Sequence, residues 1–418
     1  MSKKAVPNLV CADEQGEIFE DPDLMMLSRQ GRQMAVPRPG EIIPLPESSD
    51  LFLLPGRKAL GLDPESGKVK VVDALAVAGF ASPGHTLSGT AAYALEEGAP
   101  VLPLYAYGAV GYRDGLFWIS AKLVDEDKRQ VFTQDQLASI PGRAKALLRK
   151  YPDNRLIRHL TGCALNYCCP AARNLMLGRS EAPLPVSTSC NARCVGCISL
   201  QPPGSGFNST QQRITFAPSA REIAEVMEHH GHKVKKAILS FGQGCEGEPL
   251  TRAEEICRAV SKVRKSIPLA TVNMNTNASL PETIADLAGA GLDSVRVSLN
   301  SADPDFYHAY YRPVGYGFDQ VEEFAARAAR QGLFVSLNLL YFPGVTDTEQ
   351  QISRLSGFLT RTGAHLIQLR NLNLDPDRYL ELLPEKDLGP GTGLSNFMAR
   401  ISREHQGIRF GYFNPFTK

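Results

Sequence analysis

Leu184-Pro185-Val186-Ser187-Thr188-Ser189-Cys190-Asn191-Ala192-Arg193-Cys194-Val195-Gly196-Cys197 is the stretch on which the reading of this chain turns. Leu184–Thr188 has the apolar character of a short strand. The loop that follows carries three thiols in a C-x-x-x-C-x-x-C spacing. A structural zinc site usually takes four ligands in two pairs separated by a longer stretch. Three cysteines in one short loop leave a fourth metal position open, and a cubane 4Fe–4S cluster held in this way has one iron free for a small molecule. A zinc knob completed by a distant Cys or His, or three unrelated thiols, are the other readings of the spacing alone.

Beyond this loop, short apolar runs alternate with amphipathic ones. The pattern predicts strands at Leu184–Thr188, Lys236–Phe241, Ala270–Thr276, Ser294–Asn300, Phe334–Tyr341 and His365–Asn371. Ser219-x-x-Glu222, Thr251-x-x-Glu254, Ser279-x-x-Glu282 and Thr346-x-x-Glu349 read as capping boxes, and Asp303-Pro304 as an N-cap with proline in the first turn. Strands alternating with helices imply a parallel sheet with right-handed crossovers. The expected fold class is therefore α/β, a partial parallel (β/α)6 TIM-like barrel over residues 183–375. A mixed, β-rich N-terminal region of unassigned role covers 1–150. A connector containing Cys163, Cys168 and Cys169 covers 151–182, and a short C-terminal extension covers 376–418. Within the first region, Val101–Tyr107 and Leu116–Ser120 read as strands, with Asp114-Gly115 as the turn of a hairpin near 104–121; Gln136–Lys150 reads as a helix. In the extension, a loop over Glu381–Pro390, a helix over Leu394–His405 and an aromatic strand near Phe410–Phe413 are expected, the last two covering the open edge of the barrel.

Composition narrows the function classes. The 418 residues carry 45 Lys and Arg against 44 Asp and Glu, a net charge of +1, so neither nucleic acid nor an acidic membrane is an expected partner. No apolar run approaches the ~18 residues of a membrane span. No apolar stretch follows the basic start Lys3-Lys4, so a signal peptide is not expected and the cytoplasm is the expected compartment. The Asn208-Ser209-Thr210 sequon is then a chance occurrence. Six of the nine cysteines fall in two tight groups, which favours metal or redox chemistry over a disulfide framework.

The cysteine triplet after the first strand resembles the signature of the radical S-adenosylmethionine (radical SAM) superfamily. Gly247-Glu248-Pro249, after the second strand, is similar to that family's Gly-Gly-Glu-Pro loop. Val295–Ser301 resembles its fourth strand, Asn338 through Asp347 its fifth strand and following loop, and Ile367–Arg370 its sixth. The resemblance implies a 4Fe–4S cluster on Cys190, Cys194 and Cys197. It also implies S-adenosylmethionine bound by residues among Gly244, Glu246, Gly247, Glu248, Pro249, Asn275, Ser298, Asn300, Asn338 and Arg370. In the loop, glycine would let the main chain approach that ligand closely. One-electron reduction, by a donor such as a flavodoxin or ferredoxin, would then yield a 5′-deoxyadenosyl radical that abstracts hydrogen from an unidentified substrate, a small molecule or a peptide. Two positions depart from the pattern: Gly196 stands where an aromatic residue usually precedes the third cysteine, and Glu246 replaces the first glycine. A non-catalytic iron–sulfur or zinc-binding scaffold or regulator is the alternative function.

Five further features carry a functional or a structural reading. Cys163, Cys168 and Cys169, with Cys245 as a fourth ligand, would make a second iron–sulfur cluster, or they pack as buried thiols. His229, His230 and His232, at a helix end, are expected to face solvent, where the helix dipole favours cations. Asn273, Asn275 and Asn277 alternate on one strand face, where a ligand would satisfy their amides; Arg312 holds a carboxylate or a surface ion pair. The connection Ile198–Pro218 covers the substrate or moves freely.

Overall fold

In the computed structural model, which describes residues 6–384 and 389–418, the second half of the chain alternates strand and helix as its apolar pattern demands. Seven parallel strands lie side by side in chain order: β1 Glu181–Leu184, β2 Ile238–Phe241, β3 Thr271–Thr276, β4 Ser294–Leu299, β5 Phe334–Tyr341, β6 Leu366–Asn371 and β7 Arg409–Gly411. β5 has the predicted bounds, and β2, β3, β4 and β6 fall inside the predicted runs. β1 ends at Leu184 instead of Thr188 because the next free amides, Val186 and Ser187, donate to the Glu246 carboxylate at 2.7 and 3.0 Å. β7, from the tail, covers the outer edge of β6.

Three helices precede the sheet: α1 Gln134–Lys150, α2 Arg155–Leu165 and α3 Pro170–Leu177. The crossovers are α4 Ala220–Gly231, α5 Ala253–Val263, α6 Ile284–Ala290, the pair α7 Pro304–Tyr311 and α8 Phe318–Arg330, and α9 Glu349–Thr362; α10 Pro376–Leu382 and α11 Leu394–Glu404 lead to β7. The Ser219 capping box forms on α4, and Asp303 caps α7 ahead of Pro304. The other three boxes do not form. Short 3-10 turns at Pro249–Arg252 and Pro281–Thr283 intervene before α5 and α6. α9 takes Thr348 as its cap, while the Thr346 hydroxyl accepts from the Phe342 amide at 2.9 Å.

The strand order never reverses, so right-handed crossovers place these helices on one face of the sheet. The other face curls round a polar interior, as one side chain shows. Asn414, beyond β7, donates to Glu181 Oε1 at the start of β1 at 2.8 Å and accepts from Gln368 Nε2 of β6 at 3.1 Å. Flat, β1 and β6 would stand roughly 24 Å apart at ~4.8 Å per strand. The tail continues beneath the amino ends of the strands, where the Thr417 amide donates to Thr271 Oγ1 at 3.0 Å and Lys418 pairs with Asp293 at 2.5 Å.

Upstream, eleven strands between Asn8 and Ile119 form an antiparallel sheet whose spine is the long pair Asp50–Leu62 and Val69–Phe80. The expected hairpin is Gly108–Arg113 against Leu116–Ile119; Asp114 and Gly115 both have positive φ, 54° and 79°, as a two-residue turn of this hand requires. Val101–Tyr107 is not a strand. It lies as irregular chain against the parallel-sheet half, with the Leu102 amide donating to Asp375 at 2.9 Å. α1 begins two residues before the predicted Gln136, on a Thr133 capping box. Two expectations fall partly outside the described residues: the loop over 381–390, at 385–388, and the reading of the amino terminus, at 1–5. Among the described residues, no helix is long and apolar enough to cross a membrane.

Candidate active site

The cysteine loop leaves the carboxyl end of β1 and is gripped by backbone on two sides. On one side, Arg193 and Val195 amides donate to the Tyr311 and Tyr310 carbonyls at 3.0 Å each, and the Val314 amide donates to Asn191 at 2.8 Å. On the other, the loop after β2 pairs with it: Gly247 and Glu248 amides donate to the Ser187 and Ser189 carbonyls, both at 2.8 Å. A Cβ on Gly247 would overlap the Ser189 carbonyl and stand 3.0 Å from the Cys190 nitrogen. This glycine therefore serves a close approach of two loops, where the resemblance suggested an approach to ligand. Gly244, exposed at the tip, faces the Ile198 side chain, and Pro249 opens the 3-10 turn.

The two loop carboxylates are turned inward. Glu246, 4% exposed, accepts from the Gly242 and Gln243 amides at 2.7 Å each as well as from Val186 and Ser187. Burial pushes its carboxyl up to about 7, against the pull of those amides. The side chain that replaces the family's first glycine thus ties the β2 loop to the end of β1. Glu248 is equally buried, pushed up to about 7 by the same cause, and accepts from Thr276 Oγ1 at 2.6 Å and the Asn277 amide at 2.7 Å.

The thiols of Cys194 and Cys197 line a cavity of about 700 Å³, with Cys190 half-buried on the same loop. Burial, with Glu248 adding to it, pushes the Cys190 thiol up to about 11, and burial beside Cys190 and Cys197 raises Cys194 well above its ordinary value. Thiols so placed need a cation to hold them as thiolates. Among the described residues, the group of three Cys, His or carboxylate ligand atoms gathered within 4.8 Å lies elsewhere, so these three sulfurs are more widely spread. Tetrahedral zinc would draw thiolates to within about 3.8 Å of one another. A donor set of three spread thiols fits a polynuclear centre with each cysteine on its own iron.

Gly196 also has a local reason. A Cβ there would overlap the Tyr310 hydroxyl and stand 3.1 Å from Asn373 Oδ1. Tyr310, from α7, lines the cavity beside Cys194 and brings an aromatic ring to the place where this chain lacks one on the loop itself.

Deeper in the cavity lie Arg296 of β4, Asn338 of β5 and Arg370 of β6. Arg296 donates to Gln368 Oε1 at 3.0 Å, but its Nε is buried without a partner, as is Asn338 Oδ1. Burial, then the like charge of Arg370, pushes Arg296 down to about 9. Arg370 stacks over the Tyr412 ring at 3.8 Å. Arg296 was not among the expected site residues. Its signal was parity, two residues from Ser298 and so on the same strand face. Ser298 lies in register with Asn338 on that face. Asn275 has protein partners, whereas Asn300 has them only at Nδ2; its Oδ1, like that of Asn338, is buried without one. Asn275 donates to the Gly242 carbonyl at 2.9 Å and accepts from Asn273 and Asn414. Asn300 donates to the Phe306 carbonyl and Tyr379 at 2.9 and 3.2 Å. Asn277 binds Asn191 at 2.7 Å. The row of asparagines thus cross-links the interior, so no ligand is needed to satisfy it.

The cavity mouth is roofed by the N-terminal region, through Phe80, Ala81, Leu104, Tyr105 and Ala106, with Ile198 and Thr210 of the long connection opposite. That connection is anchored: Gln201 Nε2 donates to the Val195 and Cys197 carbonyls at 2.9 and 2.7 Å, and Ile214 to Cys245 at 2.8 Å. Three expectations change. His230 is 1% exposed on the Ser180 carbonyl, and burial pushes it and His229 down to about 4, so neither is a solvated cation. Arg312 is exposed at the end of α7 with φ 46° and does not line the cavity. Cys168 is at the surface, apart from buried Cys163, so it does not join the other two as a ligand of a second cluster.

Residues 184–355 match the family model of the radical SAM superfamily. A GTP 3′,8-cyclase of Petrotoga mobilis is 31% identical over 214 residues, 50% of this chain and 57% of its own length. Another, of Heliobacterium modesticaldum, is 30% identical over 234 residues, 54% of this chain and 63% of its own length. The chain thus spans little more than half the length of these curated relatives. Among solved structures, Streptococcus suis SuiB bound to precursor peptide SuiA overlaps 61% of this chain and 53% of its own at 16% identity, with a TM-score of 0.40. With the cysteine triplet at the head of the matched segment, residues 184–355 are a radical SAM domain, of the superfamily that uses a 4Fe–4S cluster and S-adenosylmethionine.

Proposed function

We propose that Cys190, Cys194 and Cys197 hold the 4Fe–4S cluster, that the curled sheet over 183–375 is a (β/α)6 half-barrel, and that S-adenosylmethionine binds across its mouth. Bound there and reduced by one electron from a flavodoxin or ferredoxin, the pair would supply a 5′-deoxyadenosyl radical, with methionine as the other fragment. The protein's part is to fix the cysteine loop, exclude water under the roof, and orient a substrate. The observation that carries the reading is the single cavity that joins Cys194 and Cys197 to Arg296, Asn338 and Arg370. A buried Arg296 Nε and Asn338 Oδ1 without partners are polar atoms that a ligand would satisfy. Two guanidinium groups favour an anionic substrate group at the inner end. The relatives named GTP 3′,8-cyclase make a purine nucleotide the first substrate to try. In the four-part division of the chain, region 1–150 supplies the roof and with it substrate selection; 151–182 connects, and 376–418 closes the edge and floor.

Anaerobically reconstituted protein should bind about four irons at this site. With S-adenosylmethionine and a strong reductant it should release 5′-deoxyadenosine and methionine. Changing Cys190, Cys194 and Cys197 together to Ala should abolish both the iron and the cleavage. Full iron content or continued cleavage in that variant would refute the assignment. Arg370→Gln should keep cleavage and lose substrate turnover.

A further inference from the structure

A second set of metal-ligating side chains stands apart from the cavity. His159 and Cys163 lie four residues apart on α2, which puts them on one face of the helix, with Nε2 3.4 Å from Sγ. Cys245, from the loop between β2 and the Gly-Glu-Pro turn, brings its thiol to the same point, and the three ligand atoms lie within 4.8 Å of one another. Cys163 is 3% exposed and Cys245 4%. Cys169, which begins α3, donates its amide to the Cys163 carbonyl at 3.1 Å, which places it beside the group.

We infer that His159, Cys163 and Cys245, with Cys169 as fourth ligand, form a mononuclear site for zinc. The donor set is one imidazole and three thiols, the composition of a closed structural zinc centre. Zinc bonds of about 2.3 Å to sulfur and 2.0 Å to nitrogen put neighbouring donors about 3.5–3.8 Å apart, so the spacing of His159, Cys163 and Cys245 needs only a slight contraction, while the Cys169 thiol, outside that group, must swing in to close the site. A cubane does not suit this spacing, because its cysteines sit on separate irons and stand further apart. Simple packing accounts for a buried thiol but not for the nitrogen of a half-buried imidazole aimed at one. The ion would tie α2 and α3 to the loop whose next residue, Glu246, clamps the end of β1.

The test uses the full chain with Cys190, Cys194 and Cys197 changed to Ala, so that thiol-bound metal reports this site. Zinc should be retained at about one equivalent per chain after desalting. Cobalt(II) in its place should give the intense visible bands of a tetrahedral thiolate complex, and X-ray absorption of the zinc form should show sulfur near 2.3 Å and nitrogen near 2.0 Å. Cys163→Ser and Cys245→Ser should each remove the cobalt bands. In case the triple variant does not fold, the unaltered chain prepared anaerobically should contain one zinc besides its iron. Absence of zinc and of cobalt bands, a metal–metal distance in the absorption spectrum, a Cys163–Cys245 disulfide in protein kept under reductant, or bands unchanged by Cys245→Ser would each overturn the site. None of these outcomes depends on the cluster at Cys190, Cys194 and Cys197.

Discussion

Gly247→Ala tests the bracing of the cysteine loop with a single methyl group. The new Cβ would overlap the Ser189 carbonyl and press on the Cys190 nitrogen at 3.0 Å. Non-bonded carbon prefers ~3.5 Å or more, so relief requires a backbone shift on the order of 1–2 Å. Ser189 belongs to backbone, and no flexible side chain can absorb that shift. The shift breaks or stretches two hydrogen bonds, Gly247 to Ser187 and Glu248 to Ser189, both now 2.8 Å. At about 1 kcal/mol each, with about 1–3 kcal/mol for overpacking, the expected loss is roughly 3–5 kcal/mol. The displaced residue is the one before the first thiol, so ligand geometry suffers with stability. Iron per chain after anaerobic reconstitution should fall well below wild type, and the metal-free variant should melt earlier. An alanine variant with full iron, unchanged melting and weakened S-adenosylmethionine binding would refute the argument, because that is the signature of a glycine that serves only ligand approach.

Other predictions follow from the same contacts. His230 is buried and pushed down to about 4 from an ordinary value near 6.5. Its contribution is therefore complete above about pH 6.5 and is lost as pH falls toward 4, by up to ~3 kcal/mol. His230→Gln should flatten the acid side of urea midpoints measured between pH 7.5 and 5. Arg57→Met leaves Asp375 buried without its 2.7 Å ion pair and should cost about 3–5 kcal/mol, read as a lower melting midpoint and faster proteolysis of the N-terminal region. Gly196→Ala should lower iron retention by collision with the Tyr310 hydroxyl, and adding Tyr310→Phe should restore most of it. Equal iron in the single and double variants would remove Tyr310 from the explanation.

The alternation of strand and helix was legible because each element carries its own signal: β5 alternates apolar residues inside clear bounds, and α4 announces itself with Ser219 and Glu222. The cysteine loop was legible because thiol spacing is local. What could not be read depends on partners distant in the chain. Glu246 read only as a departure from the family's loop, yet its four donors come from residues 186, 187, 242 and 243, which only the fold brings together. His230 looked like a solvated helix end until the β1 side of the sheet covered it. The asparagines of β3 looked short of partners because those partners sit on other elements: Ser240, Gly242 and Ser294 on the neighbouring strands and loop, and Asn414 some 140 residues downstream. Cys245 looked like one more thiol in a glycine loop, and its pairing with Cys163 crosses about eighty residues.

The roof and the interior of the cavity are fixed by one strand. Immediately past β6, Asp375 holds both the Arg57 guanidinium and the Leu102 amide, and Asp377 holds Arg29 and the Tyr93 hydroxyl at 2.5 and 2.7 Å. Leu102 is two residues from Leu104, so this anchor delivers Leu104, Tyr105 and Ala106 to the mouth. Within β6 itself, Asn371 accepts from the Leu87 amide at 2.8 Å and donates to the His85 carbonyl at 3.1 Å, a second tie to the same region. The residue before it is Arg370, which lines the cavity. Both Asp375 and Arg57 are 2% exposed, so the attachment lies where an unpaired charge is most costly. A substrate held between Tyr105 and Arg370 would therefore meet two surfaces positioned by β6 and its following loop. Substitutions that loosen the N-terminal sheet should then alter substrate turnover before they alter reductive cleavage at the cysteine loop, which is braced separately by α7 and the Gly-Glu-Pro turn.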